Sequence, residues 1–278
     1  MAIGRLGGTR GRGMGGWGRA ASLALLALLA ACAAPPPPPE PPLSYPPAAR
    51  ERMLRIAQAE WEEWGRQGSD DPPRAGETEA ANFPRVLAYW RAVPEGVAPI
   101  ARNRALFREG SPDVWREPAW SAAFVSFVLR GAGVDAREFP PSAAHAFYLD
   151  ALIADAARFP ATAPFLPHDV AARAPAVGDL VCADRSAAPL ASWRERAAER
   201  GRFRPMHCDI VLRVASGRIE AVGGNVRDAV TLSRFPTDAT GRLLPRPRGA
   251  PQWLAVFENR LGRLPPWAPP PEPRSPGS

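Results

Sequence analysis

The stretch EPAWSAAFVSFVLRGAGV, residues 117–134, does most to limit what this chain can fold into. Trp120, Ala123, Phe124, Phe127, Val128 and Gly131 recur at helical spacing, and Val125 and Leu129 add a second apolar row. A helix that is apolar on nearly every side has no face left for water, so it must be buried inside a packed domain. Pro118 suits the first turn of such a helix, and GAGV ends it. Ser121 heads the row that continues through Val125 and Val128, so its hydroxyl faces whatever packs there.

The rest of the chain divides by composition. Residues 1–19 are basic and glycine-rich, carrying Arg5, Arg10, Arg12 and Arg19, and AASLALLALLAA follows. That run is shorter than the roughly 20 apolar residues a spanning helix needs. A charged segment, a short apolar segment and small residues before a cleavage site together read as an export signal over residues 1–32. LAAC, residues 29–32, resembles a bacterial lipobox, which implies acylation of Cys32. Ala33 after it implies, by the same resemblance, the periplasmic face of the outer membrane. The plainer alternative is an ordinary signal peptide with a chance cysteine. Residues 33–47 are a proline-rich linker that would act as a stiff polyproline spacer. Residues 263–278 form a second proline-rich segment, expected to be a disordered tail. Residues 48–262 remain, a length that fits one domain.

Within that domain, Met53, Ile56, Ala57, Trp61 and Trp64 follow a helical period that should stop near Gly65 or Gly68. Residues 69–82 read as a loop. FPRVLAYWRAVP reads as a second helix stopped by Pro94. A further helix follows residue 140, with Ser142 as its expected N-cap and His145 in its first turn. His145 is taken as a surface or capping histidine in preference to one lining a groove. After residue 175 the pattern turns to strands: GDLVC, then CDIVLRV and RIEAV around a turn at Gly217, then AVTLS and WLAVF. Gly223 and Gly224 are expected to break the strand before Asn225, and residues 185–206 to form a partly helical insertion. Helices followed by antiparallel strands define an α+β fold, with N-terminal helices packed on a sheet of about five strands.

This order resembles the NlpC/p60 and CHAP hydrolases, papain-like enzymes that cleave peptidoglycan stem peptides. In those families the nucleophile helix often reads WCAAFVSWVLRQAG; here Trp120 to Gly133 read WSAAFVSFVLRGAG, with Ser121 at the cysteine position. GDLV matches Gly178 to Val181, HCDIVL begins at His207 where the catalytic histidine leads a strand, and Asn225 in VGGNV matches the residue that orients it. More closely, residues 48–262 resemble the bacterial domain family DUF2272, where serine at this helix position and HCDIV are usual. The resemblance implies a papain-like domain with Ser121, His207 and Asn225 as its site.

The chemistry differs with serine. A helix N-terminus and a nearby histidine populate a thiolate, but a hydroxyl needs a general base during attack, a third group to hold the base, and an oxyanion hole. His207 is the base expected from the resemblance. Asp209 shares a strand face with His207 by alternation. It could orient the imidazole, or it could hydrogen-bond Ser121 and structure an inactive site. Cys208 faces the other way and is a poor substitute nucleophile. If DLVC and HCDIV are adjacent antiparallel strands, pairing residue 182 with 208 also pairs 180 with 210. A Cys182–Cys208 disulfide is therefore expected, in keeping with an exported protein, with two buried free thiols as the alternative.

Several classes are set aside. Once the four signal arginines are removed from the net charge of +7, the remaining chain is near +3 and contains no lysine. No basic and aromatic cluster points to nucleic acid. The three histidines are scattered, no metal constellation is visible, and no glycine-rich phosphate loop precedes a helix, so no cofactor is expected. Three readings remain: a lipid-anchored envelope hydrolase acting on peptidoglycan amide or ester bonds, a pseudoenzyme binding peptidoglycan or an envelope protein in the same groove, and a structural lipoprotein whose Trp-rich helices dock a partner.

Overall fold

The helix that begins at Ser121 is held between other helices and a sheet, as its all-round apolarity requires. A computed structural model of the chain describes residues 38–72, 74 and 76–264. The export signal, Cys32 and its lipobox, residues 33–37 of the linker and residues 265–278 of the C-terminal tail lie outside the described residues. The elements below fall in one compact unit, Pro41–Ser278. Helices come first: α1 (Pro47–Glu63), α2 (Phe83–Arg91), a 3-10 turn (Pro94–Gly96), α3 (Val97–Arg108), α4 (Ser121–Gly131) and α5 (His145–Arg158). The strands follow: β1 (Phe165–His168), β2 (Leu180–Asp184), β3 (Met206–Ala215), β4 (Arg218–Val226), β5 (Ala229–Pro236) and β6 (Gln252–Asn259). A 3-10 segment, Trp193–Glu199, lies in the insertion between β2 and β3.

The fold is α+β, with six antiparallel strands rather than five, in the order β1-β6-β2-β3-β4-β5. The additional strand, β1, is four residues of FLPH; its burial alternates, but its sequence shows no alternation of apolar and polar residues. The expected register is present, with Leu180 opposite Ile210 and Cys182 opposite Cys208. Cys182 and Cys208 form a disulfide. The GDLV motif has a structural task here. Asp179 accepts the backbone N–H groups of Ala176 and Asn259, both at 2.9 Å, which fixes the entry to β2 against the end of β6.

Three sequence expectations change, and one helix lies where no element was read. Residues 97–108 are helical, although only Asn103 in that helix is buried, so no apolar stripe marked it. Pro118 precedes the helix rather than opening it, since α4 starts at Ser121. Ser142 does not cap α5: the helix starts three residues later, and Ser142 Oγ instead accepts the N–H of Ala144 and donates to Glu95. Gly223 and Gly224 do not end β4, which runs on to Val226. They mark close approach instead. A Cβ at Gly224 would stand 2.5 Å from Phe124 Cβ and 2.9 Å from Trp120 Cζ3.

α4 packs against α1 and α2 on one side and β3 and β4 on the other. Trp120, Phe124, Tyr89 and Trp90 are almost wholly buried around it. Each such aromatic removes about 150–250 Å² from water, worth about 5 kcal/mol before conformational entropy is set against it. Leu180, Cys182, Cys208, Ile210 and Val222 join this helix-side core, while Val181, Val211, Ala221 and Val256 form a smaller core with Leu243, Phe235 and Trp253.

Candidate functional site

Two helix N-termini converge here. Ser121 is the first residue of α4 and His145 the first residue of α5. Ser121 Oγ lies 2.6 Å from His145 Nε2, and His145 Nδ1 is hydrogen-bonded to the hydroxyl of Tyr148. His145 and Tyr148 are three residues apart and so share a helix face. The approach of α5 to α4 is fixed by Ser126, whose Oγ accepts the N–H of Ser142 at 3.1 Å and donates to its carbonyl at 3.2 Å. Trp120 offers no side-chain cap to α4. The backbone N–H groups of the first turn therefore present the positive end of the helix dipole beside Ser121.

His145 is 4 % exposed, so the expectation of a surface or capping histidine is overturned. Its place on the helix explains why: His145, Leu149, Leu152 and Ala156 lie on the buried stripe of α5. Burial holds the imidazole pKa well below its usual value, and the charges of His207 and Arg185 press in the same direction. At neutral pH His145 is thus neutral, with one ring nitrogen free to accept a proton. Burial, aided by the charge of Asp209, raises the Tyr148 phenol well above its usual value, so Tyr148 stays protonated.

His207 and Asp209 form a second group. His207 Nε2 lies 3.1 Å from Asp209 Oδ1, and the two side chains are largely buried. Gly223 permits this contact: a Cβ there would stand 2.0 Å from Asp209 Oδ1 and 2.8 Å from His207 Nε2. The His207 ring lies against that of His145, with centroids 5.4 Å apart. His207 and Asp209 line a cleft of about 220 Å³ together with Asn225, Arg185, Arg227 and Arg246.

The expected Ser121–His207 hydrogen bond is absent among the described residues; Ser121 pairs with His145 instead. Strand alternation gives the reason. Cys208 and Ile210 point into the helix-side core, so the intervening Asp209 belongs with its register partner Val181, which sits in the other core. The expectation that Cys208 would face away from the helices is reversed with it, and its thiol is consumed in the disulfide. Asp209 consequently partners His207 without a hydrogen bond to Ser121.

Asn225 does not orient His207 either. It sits at a positive φ of 56° beside an irregularity in the β4–β5 pairing, and its Nδ2 donates to Glu77 Oε2 at 3.0 Å. The indole N–H of Trp120 donates to the same oxygen. Glu77 lies in the loop at residues 69–82, yet it is 3 % exposed. Burial and the charge of Asp228 raise its pKa to about 7, against the two donated hydrogen bonds, which lower it. The arrangement ties residue 120, immediately before Ser121, to the end of β4.

Beyond the cleft, Arg196 is fully buried and makes a two-pronged ion pair with Asp150 of α5, at 2.7 and 2.9 Å. This bond fastens the 185–206 insertion to the helix that carries His145. No group of His, Cys, Asp and Glu among the described residues is arranged to hold a metal ion.

A family of bacterial sequences, described as an uncharacterized protein conserved in bacteria (DUF2272), matches residues 83–259, well over half of the chain. That span runs from the start of α2 to the end of β6 and contains Ser121, His145, His207, Asp209 and Asn225. No curated protein and no solved structure matches the chain.

Proposed function

We propose that the chain, which belongs to the bacterial DUF2272 family, is a cell-envelope hydrolase of papain-like design that cleaves an amide or ester bond of peptidoglycan through Ser121 and His145. The observation that carries this is the 2.6 Å contact between Ser121 Oγ and His145 Nε2 at the head of a buried helix. It has the geometry of a nucleophile and its base. In the productive tautomer His145 bears its hydrogen on Nδ1, donated to the Tyr148 oxygen, and leaves Nε2 to accept the serine proton. Ser121 Oγ then attacks the carbonyl carbon while its proton passes to Nε2. The first-turn N–H groups of α4 suit the oxyanion that forms. Collapse of the tetrahedral adduct sends the proton from Nε2 to the leaving nitrogen or oxygen. Water, deprotonated by the same nitrogen, releases the acyl group and restores Ser121.

Papain-like design is supported by the order of parts: a small nucleophile residue at a helix head, a histidine near the start of β3, and a polar residue near the end of β4. The place of His207 differs from that pattern, since it partners Asp209 and lines the cleft. Export by the N-terminal signal, anchoring through acylated Cys32 at the periplasmic face of the outer membrane, and the proline-rich spacer complete the reading. A lipid on one residue holds a protein to a bilayer without spanning it.

A second reading, a binding protein without catalysis, is favoured by one observation: Ser121 is only 6 % exposed and does not line the cleft. Purified sacculi distinguish the two. The hydrolase reading predicts soluble fragments from wild type and from Ser121→Cys, and none from Ser121→Ala or His145→Ala. Release that persists in both alanine variants would defeat the assigned site. Sacculus binding by wild type with no release at all would establish the binding reading.

A further inference from the structure

Several buried or half-buried arginines of this domain have carboxylate partners. Arg196 pairs with Asp150, Arg204 with Asp184 and Glu199, and Arg85 with Glu63. The rim of the His207–Asp209 cleft departs from this. Arg185 and Arg246 both line it, and among the described residues neither has a side-chain hydrogen bond or an ion pair. Arg227, the third arginine of the lining, is engaged by the backbone carbonyls of Ser69 and Asp71.

Arg246 is the more informative of the two. Its guanidinium lies 4.8 Å from the centre of the Trp253 ring and 5.5 Å from that of Phe235. Those two rings stand edge to face, 4.9 Å apart. Aromatic support on this scale fixes a guanidinium plane and leaves its N–H fork free. Burial also lowers the Arg246 pKa, with the charge of Asp209 acting the other way, so the charge is held where water stabilises it poorly. A half-buried cation with no hydrogen-bonded partner gains from a ligand that completes it. Arg246 and Arg185 also both border a neighbouring hollow of about 650 Å³ that includes Arg248, so the positive surface continues beyond the cleft. The acidic group within the cleft, Asp209, is already engaged by His207.

We infer that Arg246 and Arg185 form a carboxylate-binding subsite beside His207 and Asp209, and that the cleft takes a peptide bearing a free carboxylate. A guanidinium fork matches the two oxygens of a carboxylate, which fixes orientation as well as supplying charge. The aromatic faces of Phe235 and Trp253 hold that fork ready. This goes beyond the proposed function, which assigns no ligand to this cleft. It does not require Ser121 to react.

The test is calorimetric titration of the full chain with acetyl-alanyl-alanine, with its C-terminal amide, and with inorganic phosphate. The wild type should bind the free acid about tenfold or more tightly than the amide, the size expected when a charge-assisted pair is lost. Arg246→Gln and Arg185→Gln should each erase most of that preference, with unfolding midpoints equal to wild type as the check on folding. Ser121→Ala should retain it, which separates failure of catalysis from failure of the subsite. Equal affinity for acid and amide, or a preference unaltered by Arg246→Gln, would overturn the inference. So would phosphate binding as tightly as the acid, since that would make the subsite one for phosphoryl groups.

Discussion

Replacing Glu77 by glutamine probes the buried link between the loop at residues 69–82, the head of α4 and the end of β4. The carboxyl of Glu77 titrates at about 7 in the folded protein against an ordinary 4.5. Its raised pKa means that the native state holds a proton which the unfolded chain releases between those two values. Native stability therefore falls as pH rises through that window, and the loss is complete above about pH 7. At about 1.4 kcal/mol per pH unit, the interval amounts to about 3 kcal/mol as an upper figure. Glutamine is neutral at every pH and keeps an oxygen able to accept from Trp120 and Asn225. Glu77→Gln should thus match wild type near pH 4.5 and exceed it by up to about 3 kcal/mol at pH 8. Urea denaturation of both proteins at a series of pH values, with the disulfide intact, reads this directly. Curves that stay parallel from pH 4.5 to 8 would show that the Glu77 pKa is not raised in the native state, and the reasoning would fail.

Gly223→Ala places a methyl group 2.0 Å from Asp209 Oδ1, so the His207–Asp209 contact must break or β4 must shift. The variant should lose about 2 kcal/mol or more in urea denaturation, and a wild-type midpoint would contradict the close approach. Reduction of Cys182–Cys208, whose residues are separated by 26 positions, should cost about 3 kcal/mol on the chain-entropy view. Unfolding with and without reductant measures it, and mass spectrometry of the native protein should find neither thiol free to alkylate.

Pattern made some of this structure legible and left other parts out of reach. The Cys182–Cys208 pairing followed from two short strands, because one register satisfied both cysteines and the apolar positions at 180 and 210. The helix at Ser121 followed from its apolar surround. The sidedness of β3 did not follow, because alternation says which residues share a face and not which face meets the helices. The family resemblance set His207 opposite Ser121, whereas the fold brings His145 there. His145 carried a sign that could have been used: with Leu149, Leu152 and Ala156 it occupies the buried stripe of its own helix, and Tyr148 stands one turn on. What sequence could not convey is that α4 and α5 start at the same point in space. Glu77 was equally out of reach, since its partners lie 43 and 148 residues away and its loop has no period. α3 escaped because it lies on the surface without an apolar face, and β1 because Phe165, Leu166 and Pro167 in a row give no apolar–polar alternation in so short a strand.

The central claim is that Ser121 is a nucleophile activated by His145. Labelling with a fluorophosphonate probe, followed by intact-mass and peptide mass spectrometry, tests it without knowledge of the substrate. The account predicts a single adduct on Ser121 in wild type, none in Ser121→Ala, and a labelling rate lowered about a hundredfold or more in His145→Ala, as expected for loss of a general base. It predicts a smaller change in His207→Ala, which leaves the Ser121–His145 contact in place. Absence of an adduct on Ser121 in wild type, or labelling that His207→Ala abolishes and His145→Ala spares, would contradict it.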